Sequence, residues 1–188
     1  LIEKIKMGLK WGIAALFCFI VLRSHSFIQT QQQQKIIIYN IPQKQAIDFI
    51  NGQHYVFKGD SSLLTDDFAQ NFHLKPSRVK YRLAVADSLN GFLQQGNYVN
   101  HNNKRILIAD GRSAFSSTEL KQSIDLLIIS KNPRLYINRL INSFDIKQVV
   151  FDSSTPAWKV KLWKKDCDSL GIPYHDVAAK GAFVMTLR

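Results

Sequence analysis

The chain lacks nearly every residue pattern on which local catalysis, redox chemistry or metal binding is built. Only two cysteines occur, Cys18 and Cys167. They form no CxxC pair and no zinc spacing, so neither a disulfide framework nor a thiolate metal site is implied, and both are expected to be plain buried thiols. The five histidines, His25, His54, His73, His101 and His175, contain no HxH, HxxxH or HExxH pair. GxxxxGK[ST] and GxGxxG are absent, which removes the usual phosphate-cradling loops, and there is no G-x-S-x-G elbow to present a nucleophile. The serines and aspartates of LTDDF (64–68) and DSSTPAW (152–158) read as helix caps.

Acidic residues are also scarce, 14 against 25 lysines and arginines, for a formal net charge of +11. Such a balance implies an anionic partner, nucleic acid or a phospholipid surface. Lys4, Lys6, Lys10 and Arg23 flank a hydrophobic run, but the rest of the chain is basic in its own right. What is abundant is apolar surface: 46% of 188 residues, with 11% aromatic, suffices for one ordinary domain plus an attachment and excludes a disordered chain. The opening LIEKIKMGLKW has no start-site logic apart from Met7, so the chain is expected to be a fragment of a longer protein.

The attachment is read as a transmembrane helix with a basic flank over residues 1–28. Its uninterrupted apolar stretch, Trp11 to Leu22, falls short of the roughly 20 residues a span needs. Lys10 and Arg23 can snorkel to the two interfaces and extend it. A cleaved signal peptide would need a small-residue cleavage site, which LRSHSFIQT does not offer. Lysines concentrate before the run, which places the remainder of the chain outside the cytoplasm. Residues 29–34, QTQQQQ, read as a polar linker, and residues 35–188 as the folded domain.

Within that domain, strands are predicted at Ile36 to Tyr39, Ala46 to Ile50 and His54 to Phe57, the last two joined by the hairpin signal Asn51-Gly52. Thr65-Asp66-Asp67 caps a short helix. Val79 to Leu83, Gly91 to Val99 and Lys104 to Gly111 read as strands. From Ile124 the rhythm becomes strand, helix, strand, helix. Strands at Asp125 to Ser130 and Ile146 to Phe151 alternate with two helices, and a closing strand is placed at Ala182 to Leu187. In the first helix Asn132 is the cap, Pro133 the first residue, and Ile137, Leu140, Ile141 and Phe144 one face. The second starts at Thr155-Pro156 and turns Val160, Trp163, Cys167 and Leu170 inward. This order argues an α/β sandwich with mixed β-sheets flanked by helices.

The second helix is the best binding candidate. Lys161, Lys164 and Lys165 fall along one side with Lys159 nearby, and Trp158 stands apart from the inner face. Such a face could hold phosphates and stack a base of single-stranded DNA. A merely solvated helix face fits the same pattern.

Three stretches together, IIIYNIPQKQAIDFINGQHYVF (36–57), IDLLIISKNPRLYINRL (124–140) and the segment from VVFDSSTPAW to GAFVM (149–185), resemble the C-terminal end of the ComEC family of competence-related DNA-uptake membrane proteins. The likeness is greatest to its Bacteroidetes versions and covers nearly the whole chain. It implies a metallo-β-lactamase-like domain, a four-layer αββα sandwich, following a multi-helix channel region. Members with an intact site carry DVGQGDA after the first strand and SHxHxDH after a later one. Laid on this chain, the first motif falls on residues 40–46, where only Gln43 and Ala46 agree. The second falls on residues 130–136, where only Ser130 agrees. Lys131, Pro133, Leu135 and Tyr136 then occupy the places of three histidines and an aspartate that would bind zinc. None of these side chains can replace imidazole or carboxylate in a site that activates water.

The reading is a catalytically silent extracytoplasmic domain with a structural or DNA-guiding role, working with the membrane and the upstream channel region, without metal or other cofactor. Two other classes stay open: a metal-dependent hydrolase such as a nuclease with an unrecognised site, and an envelope scaffold that binds another protein.

Overall fold

The first element, α1 (Ile2–Gln32), is a single helix of 31 residues, roughly 45 Å long at 1.5 Å per residue. Gly8–Gln32 is long and apolar enough to cross a membrane. Trp11, Leu16, Phe17 and Leu22 are all more than half exposed, as expected of a helix whose apolar surface is not used by its own domain. The computed structural model describes residues 2–111 and 121–187, with side chains from residue 8 onward. Lys4 and Lys6 therefore lie outside the described side chains.

The polar stretch 29–34 is not the unstructured linker that its composition suggests. Gln is a good helix former, and α1 continues to Gln32, with the Thr30 hydroxyl donating to the Ser26 carbonyl at 2.8 Å. Gln33 then donates through Nε2 to the carbonyls of Gly52 and Tyr81, at 2.9 and 2.7 Å. The first strand begins at the next residue.

Five strands make the first sheet: β1 (Gln34–Ile38), β2 (Ala46–Asn51), β3 (His54–Gly59), a short β4 (Ala84–Val85) and the C-terminal β13 (Phe183–Thr186), in the order β13-β1-β2-β3-β4. Between β3 and β4 the chain forms α2 (Ser62–Thr65), α3 (Asp67–Ala69), one π-helical turn (Gln70–Leu74) and α4 (Lys75–Lys80). Asp66 caps α3 by accepting from the Ala69 N–H at 3.0 Å, in line with the cap read from the sequence.

The second sheet has the order β12-β11-β9-β7-β6-β5. It comprises β5 (Phe92–Gln95), β6 (Tyr98–His101), β7 (Lys104–Ala109), β9 (Leu126–Ile129), β11 (Val149–Phe151) and β12 (Tyr174–Asp176). A separate parallel pair joins β8 (Gln122–Ile124) to β10 (Phe144–Ile146). The helices of this half are α5 (Ile137–Ser143), α6 (Ala157–Leu170) and the short α7 (Val177–Lys180).

Two-residue alternation along the strands builds the layers. Ile36, Ile38, Ile47 and Phe49 of the first sheet meet Ile106, Ile108, Leu126, Ile128 and Val150 of the second in the inter-sheet core. Their neighbours face outward: Ile37 and Ile50 pack against Leu63, Ala69 and Leu74 of the first helical layer. Leu107, Leu127, Ile129 and Phe151 pack against Leu140, Val160 and Trp163 of the second. The result is the mixed α/β, four-layer αββα sandwich expected. Strands covered on both faces need unbroken apolar runs, which is why III, LLII and VVF are apolar throughout. Each fully buried isoleucine contributes about 1.5–3 kcal/mol.

A charged pair pins the first helical layer to its sheet. Asp48 points outward from β2 at 0% exposure and receives Arg78 Nε and Nη2 of α4, both at 3.0 Å, and the Tyr39 hydroxyl at 2.8 Å. Burial pushes the Asp48 carboxyl up while Arg78 and Tyr39 pull it back. Val79 to Leu83, read as a strand, is accordingly the end of α4 and a turn: Arg78 must face inward to reach Asp48, which turns Val79 out to solvent.

Other segments also differ from the sequence reading. Residues 91–99 are not one strand but a hairpin, β5 and β6 turning at Gly96 with φ 60°. Residues 146–151 split between β10 and β11, and Phe144 heads β10 instead of ending a helix. Cys167 is buried and its thiol is pushed up to about 12, first by burial and then by Asp166 and Asp168. Cys18, expected to be buried, lies exposed on α1, where nothing of the domain covers it.

Candidate functional site

Strand register carries Asp110, Ser130 and Asp152 to the carboxyl ends of β7, β9 and β11, because Ala109 pairs with Ile129 and Ile129 with Phe151. In α/β sheets this edge is where ligands bind. The loop between β1 and β2 closes over it. Gln43 N–H donates to the Ser153 carbonyl at 3.0 Å, and Ser153 Oγ donates to Asn40 Oδ1 at 2.7 Å. Gln45, 4% exposed, reaches Ser130 Oγ through Nε2 at 2.9 Å across 85 residues. Gly59 permits the approach: a Cβ there would lie 2.3 Å from the Gln45 carbonyl oxygen. The two motif segments singled out in the sequence therefore meet.

Their meeting point is polar and crosslinked. Asp60 accepts from the Gln45 N–H at 2.8 Å and pairs with Lys131 Nζ at 3.2 Å. Lys44 Nζ donates to Ser62 Oγ at 2.9 Å. Asp152, 1% exposed, accepts at Oδ1 from Ser154 N–H, Ser154 Oγ and Thr155 Oγ1. Burial pushes its carboxyl up, against the hydrogen bonds from Ser154, Ser130 and Thr155. Those hydroxyls thus close a turn beneath Asp152 and do not cap α6, whose N-cap, Pro156, has no side-chain bond. Between Lys44, Asp60, Lys131 and Asn132 lies a shallow cavity of about 510 Å³. Gln43 and Lys131 both sit at positive φ, 60° and 61°, a conformation that costs a non-glycine residue about 1–3 kcal/mol.

The residues that the family resemblance would lay on zinc-ligand positions do not fit zinc. The Lys131 ammonium is on Asp60, Pro133 offers no side-chain donor, Leu135 is 9% exposed in the core, and Tyr136 is 64% exposed and turned outward. Among the described residues no group of three or more His, Cys, Asp or Glu could hold a metal ion. His101 is buried between Phe49 and Phe92, and burial lowers its pKa against a bond to the Ile50 carbonyl.

Residues 131–136 do not begin a helix at Asn132 and Pro133 as their sequence suggests. After Lys131, at positive φ, the segment forms no helix: Pro133, Leu135 and Ile137 turn inward, Arg134 and Tyr136 outward, and α5 starts only at Ile137. Side chains of α6 claim the carbonyls that a helix would use: Lys159 Nζ donates to Pro133 O at 2.9 Å and Trp163 Nε1 to Leu135 O at 3.2 Å.

These bonds revise the proposed lysine track. Lys159 is a clamp on the motif segment, and Lys164 is ion-paired with Asp176. Lys161 and Lys165 remain exposed, and Trp158 is 63% exposed. Trp158 and Leu162 of α6 face Tyr136 and Arg134 across a groove of about 570 Å³ floored by Leu135 and Trp163. The groove escaped the sequence reading because its walls lie more than 20 residues apart; the only local signal was two large apolar residues, Trp158 and Leu162, off the inner face of α6.

Comparisons with curated proteins and with solved structures return no match. The family model of the ComEC C-terminal domain matches residues 36–187, which takes in both sheets, both helical layers and both motif segments. The chain belongs to the ComEC C-terminal domain family, part of a family of membrane proteins of competence and DNA uptake.

Proposed function

We propose that this domain is a non-catalytic, degenerate metallo-β-lactamase-like module that guides single-stranded DNA beside the upstream channel region of its parent protein. It is held on the periplasmic side of the bacterial inner membrane by α1. The excess of Lys4, Lys6 and Lys10 over Arg23 supports that orientation, since basic flanks stay in the cytoplasm. The observation that carries the reading is the groove that residues 133–136 line together with α6. Where zinc ligands would stand, Leu135 and Tyr136 instead form the floor and one wall of a groove whose other wall is Trp158 and Leu162. Arg134 lines the groove, and the exposed Lys161 and Lys165 lie on the same helix as Trp158. Aromatic faces stack bases of any sequence, and cations beside them neutralise phosphates.

The test is binding of a labelled oligonucleotide to the full chain in zwitterionic-lipid nanodiscs, with zinc, with manganese and with chelator. The expected result is salt-sensitive binding that is indifferent to metal and leaves the strand intact. Metal-dependent cleavage would establish the hydrolase reading instead, and no binding at low salt would favour a scaffold for another envelope protein.

A further inference from the structure

The first helical layer has two apolar faces, and only one of them is used. Leu63, Ala69 and Leu74 pack on the first sheet. On the outside, Leu64 is 56% exposed, Phe68 72%, Phe72 66% and Val79 66%. Phe68 and Phe72 stack on each other at 5.6 Å with their rings 6° from parallel. Exposed Lys75, Lys80 and Arg82 accompany this row, whereas Arg78 is spent on Asp48. Exposed phenylalanines followed along the same layer by lysine and arginine, with the exposed Asp66 and Asp67 beside Phe68, approach the residue pattern of a helix lying in a bilayer interface.

The same layer is tied to the exit of α1. Gln33 bonds the Tyr81 carbonyl, Lys35 lies 5.5 Å over the Tyr81 ring, and Arg82 shares a surface depression with Ile20, Arg23, Phe27 and Ile28. Arg23 ends the apolar run Trp11 to Leu22, so with α1 spanning the membrane Arg82 would stand at headgroup level. We propose that the outer face of α2 to α4 docks on the bilayer beside α1, with Phe68 and Phe72 in the acyl boundary and Lys75, Lys80 and Arg82 on lipid phosphates. The cations favour lipid over an apolar protein partner, because headgroup phosphate complements them next to the phenylalanines. Docking at this second point would fix the tilt of the sandwich over the membrane, which a single helix cannot do.

The proposal rests on α1 spanning the membrane. It is tested in the full chain carrying Cys18→Ser, with Cys167 left in its buried site, reconstituted into vesicles containing anionic phospholipid. Nitroxide labels are placed at Phe68→Cys, Phe72→Cys, Phe19→Cys on α1 and Leu93→Cys on the opposite sheet, and their collision rates with oxygen and with a polar nickel chelate are compared. The expected oxygen-to-nickel ratio at 68 and 72 is several-fold above that at 93. It falls toward the value at 93 when Lys75, Lys80 and Arg82 are replaced by Glu. Ratios at 68 and 72 equal to that at 93, with 19 in the bilayer core, would overturn docking and leave the span intact. Labels at 68 and 72 shielded from both reagents would overturn it in favour of a protein cover. A water-exposed label at 19 would overturn span and docking together.

Discussion

Replacing Lys161 and Lys165 together by Gln should flatten the salt dependence of DNA binding, while replacing Lys164 should hardly change it. The distinction comes from where the four lysines of α6 end. Lys159 is bonded to Pro133 O and Lys164 to Asp176, whereas Lys161 and Lys165 are exposed. Each phosphate contact on a single strand contributes about 0.7 to the log–log salt slope, so losing two lowers it by about 1.4. Between about 50 and 200 mM salt the wild type should therefore lose about sevenfold more affinity than the double variant. Trp158→Ala acts on a different quantity: loss of a stacked base costs about 1–3 kcal/mol, or about 5- to 150-fold in affinity, with the slope unchanged. Fluorescence anisotropy of a labelled oligonucleotide, titrated at several salt concentrations against the full chain in zwitterionic nanodiscs, reads both. Equal slopes for wild type and the Lys161/Lys165 variant would refute the assignment of those two lysines. So would a Lys164→Gln variant that flattens the slope as much as the pair.

Arg78→Met leaves Asp48 buried and ionisable without its partner, a loss of about 3–5 kcal/mol; at about 2–4 °C per kcal/mol for a domain of this size, thermal melts should fall by about 6–20 °C, and adding Asp48→Leu should restore most of it. Asp125 is held below the usual carboxylate range: burial would raise it, but Lys147 and the Arg105 N–H outweigh burial. Its folded value is depressed, so its stabilisation is complete above the ordinary carboxylate pKa and fades as pH falls through the folded value. The melting difference between wild type and Asp125→Asn should shrink accordingly on acidification, and a difference that grows would contradict the sign. In detergent near pH 8, Cys167 should resist a maleimide until the protein is denatured; its prompt reaction in the folded chain would show that Cys167 is not enclosed. A reporter fused after Arg188 should be active in the periplasm, and cytoplasmic activity would reverse the orientation drawn from the lysine flank.

The layers can be read from residue order alone. Ile36 to Ile38, Leu126 to Ile129 and Val149 to Phe151 are apolar at every position because both faces of each strand are covered, and Asn51-Gly52 turns β2 into β3 with Gly52 at φ 63°. Val160, Trp163 and Cys167 recur at helical spacing and are buried on α6 as that spacing requires. Periodicity reports burial, and burial is what places a strand or a helix in a layer. The partners of polar side chains are another matter, because a carbonyl or an ammonium binds whatever group the packing brings within about 3 Å. Residues 131–136 have a helix-start sequence but form no helix, since Lys159 and Trp163, more than 20 positions away, take the carbonyls of Pro133 and Leu135. Asp48 can stay fully buried in β2 because Arg78 reaches it from α4, a partner 30 positions away. Whether Lys161 or Lys164 is free to meet a phosphate was likewise decided only in three dimensions, by the position of Asp176 on β12 at the neighbouring sheet edge.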